Sequence, residues 1–203
     1  MAPTASNRSR AASRTASARN GRVRAERGCR FPAMTPIQAV IRGVLAGAAG
    51  TAAMDAWLFA RYRRGGGNRT AKEWELSQGL SGWDDAPAPA LVGKRLVEGL
   101  FEIELPSTRA PSANNVTHWA FGMFSGLQYG IVAGSAPEPR IRYGLPFGAA
   151  VWVGGYVILP VAKLYQPIWK YDLKTLTNDL SAHLVYGLAT AGALRLLAGR
   201  RSR

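Results

Sequence analysis

The chain has 203 residues, 47% of them hydrophobic, with 26 Lys or Arg against 12 Asp or Glu and a formal net charge of +14. Mixed evenly, these would make one soluble basic domain of ordinary length, but the charges are segregated and leave long stretches almost empty. A single cysteine, Cys29, excludes a disulfide scaffold and a cysteine-based metal site, and two histidines are poor in zinc ligands.

Residues 1–34 carry eight arginines, many Ala and Ser, one acid (Glu26) and no aromatic before Phe31. Such a segment cannot bury enough apolar surface to fold alone, so a disordered basic tail is expected. It lacks the uninterrupted apolar run of a secretory signal, although its composition also describes organellar transit peptides. No aromatic is interleaved with its arginines to stack on bases, so no nucleic acid partner is expected.

Thr35-Pro36-Ile37-Gln38 reads as a helix start, with Thr as cap, Pro at the first helical position and Gln completing a capping box. Gly43 to Ala60 then carries one charge, Asp55, over 18 residues. Their rise of about 27 Å is close to the roughly 30 Å hydrocarbon core. The pattern predicts four transmembrane helices, over 35–62, 115–134, 141–163 and 178–199, in an all-α bundle. Between the first two lies a polar loop, 63–114, containing an amphipathic helix over 90–102. Val92, Leu96 and Leu100 form its apolar stripe, with Lys94, Glu98 and Glu102 opposite. About 13 residues cannot span a bilayer, so this helix belongs on the membrane surface, or it packs on its own loop. Trp74 and Trp83 are candidate interfacial anchors, and 164–177 reads as an interfacial segment before the last span.

Four antiparallel spans place both termini on one side, with 15 of the 26 basic residues and 2 of the 12 acidic ones. Net charge makes that side cytoplasmic, whereas counting only Lys and Arg near span ends brings the sides level, because of Arg61, Arg63 and Arg64. Cytoplasmic termini are expected, since otherwise the arginine tail must cross the membrane.

Span two carries His118, Gly122, Gly126, Gly130 and Gly134 at strict four-residue spacing. Glycines at that spacing strip one ridge of side chains and let another helix backbone approach, which is how helices associate in lipid. Gly43, Gly47, Thr51 and Asp55 repeat the pattern in span one, and Asp179, His183, Gly187, Ala191 and Arg195 in span four. These ridges predict tight packing within the chain or between copies of it.

Alternating span directions bring Asp55, His118, Lys163, Asp179 and His183 to one membrane face. Asp55 lies about 8 Å inside its helix end, where a carboxylate is costly unless it is paired or faces water. On one reading, Asp55, His118, Asp179 and His183 form a proton- or cation-responsive site. On the other, Asp179 or Asn178 caps the last helix, the histidines bond at helix interfaces and Asp55 snorkels to the Arg61–Arg64 cluster. Pro146 and Pro160 read as kinks or end markers.

Thr117-His118 through Tyr129, Gly144-Leu145-Pro146-Phe147-Gly148, the exit from Leu159-Pro160 to Gln166-Pro167, and Ser181-Ala182-His183-Leu184-Val185 resemble the YagU-like family of small bacterial polytopic inner-membrane proteins. The resemblance covers roughly 116–198, together with span one. It implies a multi-pass inner-membrane protein and brings no assigned reaction, hence no catalytic residues. The arginine tail and loop 63–114 fit the family poorly.

These readings point to a non-enzymatic membrane protein of the bacterial envelope without metal or cofactor, partnered by the lipid bilayer and by a second copy or another membrane protein. Two alternatives stand beside it. A membrane scaffold would dock partners on loop 63–114 or the basic tail. A membrane-embedded enzyme would need a nucleophile elbow, an H-E-x-x-H or a phosphate-binding glycine loop, and the sequence has none of these.

Overall fold

The computed structural model describes residues 34–77, 79–136 and 140–199, so the basic tail expected over 1–34 lies almost wholly outside the described residues. The described chain is all-helical, with 79% helix and no strand. Its helices are α1 Pro36–Arg64, α2 Ala71–Ser77, α3 Ala88–Phe101, α4 Ala110–Gly134, α5 Gly144–Val161 and α6 Leu173–Ala198.

Local chemistry sets most boundaries. Thr35 and Gln38 close a capping box at the start of α1, with Pro36 in its first turn. Arg61, Arg63 and Arg64 occupy its last turn, where cations complement the carboxyl end of the helix dipole. Pro160 lies inside α5 one residue before its end, where it leaves the Tyr156 carbonyl without its backbone donor and marks the end of the helix. Neither Asn178 nor Asp179 caps α6. The helix starts earlier, at Leu173, because the Asp172 carboxylate accepts from the Thr175 amide at 2.8 Å. The interfacial segment expected over 164–177 is therefore shortened.

Three segments are long and apolar enough to cross a membrane: Pro36–Arg64 with 29 residues, Ile141–Val161 with 21 and Leu173–Ala198 with 26. Helix α4 is 25 residues long but less apolar, since Asn114, Asn115, His118, Ser125 and Gln128 interrupt it. The burial pattern is the reverse of a water-soluble core. The largest fully buried side chains are Leu194, Thr51 and Thr190, while Ile37, Ile41, Phe121, Phe124, Val157 and Ile158 point outward. Small residues inside and large apolar ones outside suit a surrounding that is itself apolar.

The helices pack in the order α3, α4, α1, α6, α5. Helices α4 and α5 meet through Tyr129 and Phe147, whose ring centroids lie 4.5 Å apart. Phe147 also packs on Tyr186, tying the Ala46–Leu194 and Met54–Ala182 parts of the core together.

Loop 63–114 is more ordered than its composition suggests. Helix α2 was not expected. Its signal is the capping box Thr70/Glu73, in which the Thr70 amide donates to Glu73 Oε2 at 2.9 Å and the Glu73 amide to Thr70 Oγ1 at 3.3 Å. Helix α3 packs on α4 through Gly93, against Ala113 and Thr117. The apolar stripe with Leu96 and Leu100 turns outward, away from that contact. Trp74 and Trp83 pack on the protein itself: Trp74 lies against Phe59 and Tyr62, and Trp83 donates to the Leu105 carbonyl at 3.1 Å.

Candidate functional site: a buried carboxylate at the end of a glycine ladder

Helices α1 and α4 run antiparallel with their two small-residue ridges in register. A Cβ added to Gly43 would lie 3.0 Å from Cα of Gly130, and one added to Gly47 would lie 2.9 Å from Cα of Gly126. Gly122 faces Thr51 in the same way, and Gly134 faces Ala39. Residue numbers rise by four along α1 as they fall by four along α4. Continuing that step past Thr51 and Gly122 gives Asp55 and His118, whose Oδ1 and Nε2 are 2.9 Å apart. From Ala39 to Asp55 the contact covers about 24 Å of helix at 1.5 Å per residue.

The pair is therefore a rung of the packing ridge. Asp55 is only 6% exposed. With Asp55 ionised, its carboxylate can only accept, so His118 Nε2–H donates. Asp55 Oδ2 is buried and has no hydrogen-bond partner among the described residues. Asp55 does not snorkel to the arginines beyond it, since Arg61 donates to the Asn178 carbonyl at 3.1 Å and Arg63 to the Gly67 carbonyl at 3.0 Å. One turn inward, Tyr186 of α6 donates to the Gly122 carbonyl at 2.7 Å, fixing a third helix against the ridge.

The four ionisable residues form two pairs in different helix contacts. His183 Nδ1–H donates to the Asp179 carbonyl at 2.9 Å and lies 3.4 Å from Asp179 Oδ1, both within α6. This second pair faces α5, where Gly148 abuts the His183 backbone and Gly144 abuts Gly187. Tyr156, Tyr165 and Tyr171 cluster nearby, with ring centroids 5.4 to 6.0 Å apart. Burial pushes the Tyr165 hydroxyl up to about 12, and the neighbouring Asp179 charge adds to it. Lys163 joins neither pair. It turns the chain after α5 with φ 58°.

All seven ridge glycines singled out by spacing sit at helix contacts: Gly43, Gly47, Gly122, Gly126, Gly130 and Gly134 between α1, its preceding Met34 and α4, and Gly187 between α6 and α5. Spacing alone missed their partners Gly144 and Gly148, and also Gly50, which abuts Tyr186 and Thr190. It missed Glu75 too, whose Oε1 accepts from Asn115 Nδ2 and Trp119 Nε1, both at 2.8 Å, beside His118. Among the described residues, no three His, Cys, Asp or Glu side chains group as a metal site needs.

No family model, curated protein or solved structure matches this chain.

Proposed function

We propose that this chain is a non-enzymatic integral membrane protein with four spans, set in a bacterial inner membrane with both termini cytoplasmic, whose α1–α4 contact responds to protons. The observation that carries this is the Asp55–His118 rung: a buried carboxylate and an imidazole, from two helices, placed where the glycine ladder ends. Histidine is the side chain that changes charge near neutral pH, so the rung makes helix packing depend on a proton.

Helix α4 counts as the fourth span because it is locked to α1 rung by rung over about 24 Å, and α1 is long and apolar enough to cross. Protons suit the site better than hydrated metal cations, since Arg61, Arg63, Arg64 and Arg69 lie toward its loop-side mouth. The non-enzymatic reading rests on the sequence, which carries no nucleophile elbow, H-E-x-x-H or phosphate-binding glycine loop. Since the ladder is satisfied within one chain, tight packing needs no second copy. The partner proposed is the lipid bilayer, and no cofactor is invoked. The reading of cytoplasmic termini rests on the eight-arginine tail, which would otherwise have to cross the membrane, and that of the inner membrane on the likeness to YagU-like proteins.

The deciding measurement is the thermal midpoint in detergent between about pH 5 and 8, for the parent, Asp55→Asn, His118→Gln and the double variant. The parent midpoint should change across that range and the change should shrink in each single variant, with non-additive effects in the double. Additive effects, with pH curves parallel to the parent's, would sink the reading. For topology, Ser107→Cys in a Cys29→Ser background should label from outside intact cells. Labelling only after lysis would invert the orientation.

A further inference from the structure

Helix α2 lies against both walls of the Asp55–His118 site. On the α1 side, Trp74 packs on Phe59, one turn beyond Asp55, with ring centroids 5.6 Å apart, and on Tyr62 at 6.4 Å. On the α4 side, the Glu75 carboxylate takes hydrogen bonds from Asn115 and Trp119, which flank His118, and the Glu75 carbonyl accepts a second from Asn115 at 3.2 Å. The chain enters α2 through Gly65-Gly66-Gly67, where Gly66 has φ 90° and nothing within 4 Å of a Cβ position, and leaves it at Gly79, with φ 76°. Helix α2 is thus a short, self-capped element, turned on glycines at both ends and held down by two aromatic contacts, by the Glu75 carboxylate and carbonyl, and by the Arg69 amide, which donates to the Tyr62 hydroxyl at 3.3 Å. Below it the Asp55 side chain is 8% exposed and that of His118 22%. Asp55 Oδ2 is buried without a partner among the described residues, as suits an atom that receives something from outside the pair.

We infer that α2 is a hinged cover over the Asp55–His118 pair, with Glu75 as the positioning residue that latches it, and that its opening admits water and the protons water carries to Asp55 Oδ2 from the loop side. This rests on reading the pair as the working site, but it concerns access rather than titration. A carboxylate accepting two hydrogen bonds is the stronger kind of latch, because a charged acceptor strengthens both. Opening leaves Asn115 and Trp119 to be satisfied by water at the membrane edge. The low-contact segment is also where a local opening would be expected.

The test reads access with a cysteine at the site. In the full-length chain, Asp55→Cys with Cys29→Ser is treated with a water-soluble maleimide, and the labelling rate is compared with and without a change at Glu75. Glu75→Ala should raise the rate about tenfold, by removing both bonds to the carboxylate while the Glu75 carbonyl still accepts from Asn115. Glu75→Gln keeps an acceptor oxygen for Asn115 and Trp119 and should return the rate close to the starting value. Trp119→Phe removes one of the two donors and should fall between them. A Ser107→Cys reporter in the exposed loop should label equally in all backgrounds. An unchanged rate in Glu75→Ala, or equal acceleration by Ala and Gln, would overturn the cover. If Glu75→Ala does not fold, Trp119→Phe decides in the same way, acceleration supporting the cover and an unchanged rate overturning it. Failure here leaves the pH response untouched, and failure of the pH response leaves the labelling result standing.

Discussion

Both the α1–α4 and the α5–α6 contacts run glycine against backbone and then reach an acid and an imidazole, but Asp55 and His118 stand on opposite helices whereas Asp179 and His183 stand on one. In the first contact, the bond between the charged groups is also a bond between helices. In the second the ion pair lies within one helix, and Asp179 reaches α5 only through the neutral Tyr156 hydroxyl, beside the contact of Gly144, Gly148 and Gly187. The same residue types at the same four-residue spacing therefore join two helices by an acid–imidazole pair in one place and keep that pair within one helix in the other.

The largest effect should come from breaking the first contact at its centre. A side chain at Gly126 would meet the Gly47 backbone, with N 2.6 Å from the first added carbon, and the Gly43 carbonyl at 2.6 Å. Neither can move like a flexible side chain. Gly126→Leu should cost about 3 kcal/mol or more, read as a lowered thermal midpoint or as loss of the monodisperse species in detergent. Gly192→Leu, at a position with nothing within 4 Å, should leave both near the parent. Equal tolerance at the two sites would mean the ladder is not a packing contact.

Next comes the charge comparison. Asp55→Asn should destabilise by about 2 kcal/mol, because it weakens a bond to a buried group that has no solvent to replace it. Asp179→Asn should cost less, about 1 kcal/mol or below, because the amide oxygen can still accept from the Tyr156 hydroxyl and the charge lost is only that of an i,i+4 pair. Thermal midpoints of the two variants at one pH check the order, and a larger loss from Asp179→Asn would reverse the assignment of roles.

How far the sequence revealed this difference depends on what spacing encodes. The period of four in Gly43–Asp55 and His118–Gly134 carries the register of α1 on α4, because both ridges step together. Alternating span direction brought all four ionisable groups to one face. It carries no information on which side of α6 meets α1 and which meets α5, and so could not divide them into pairs. The α6 boundary was hidden for a different reason. The apolar pattern starts near Leu180, whereas Leu173–Asn178 is polar helix made stable by a cap and by the tertiary bond from Arg61 to the Asn178 carbonyl. Glu75 was illegible because its partners lie forty or more residues away.

A smaller contrast sharpens the packing argument within one helix. On α6, a Cβ at Gly187 would crowd Gly148, 2.7 Å from its N and 2.8 Å from its Cα, while one at Gly192 meets nothing. Gly192→Ala should therefore be neutral or stabilise by about 0.5–1 kcal/mol, since alanine loses less conformational freedom in a helix. Gly187→Ala should be destabilising. Matching midpoints for the two would show that α5 yields easily, and that this contact is looser than α1–α4.

The smallest expected effect concerns the start of α6. The Thr175 amide and hydroxyl, each 2.8 Å from an Asp172 carboxylate oxygen, hold the Asp172 carboxyl below the usual carboxylate range. A depressed folded-state pKa means the cap stabilises above the ordinary carboxylate pKa and that this contribution is lost as pH falls through the lower, folded value. Asp172→Asn can still accept from the Thr175 amide but does not titrate. Its midpoint should stay near the parent at neutral pH, and its acid-side decline should be slightly shallower. Asp172→Ala should lower the midpoint at neutral pH, and comparing it with Asp179→Ala separates a cap from an interior helix residue. If Asp179→Ala alone perturbs the first turns of α6, measured as amide exchange over 173–178, the helix begins where its apolar pattern does and the Asp172 cap is not what starts it.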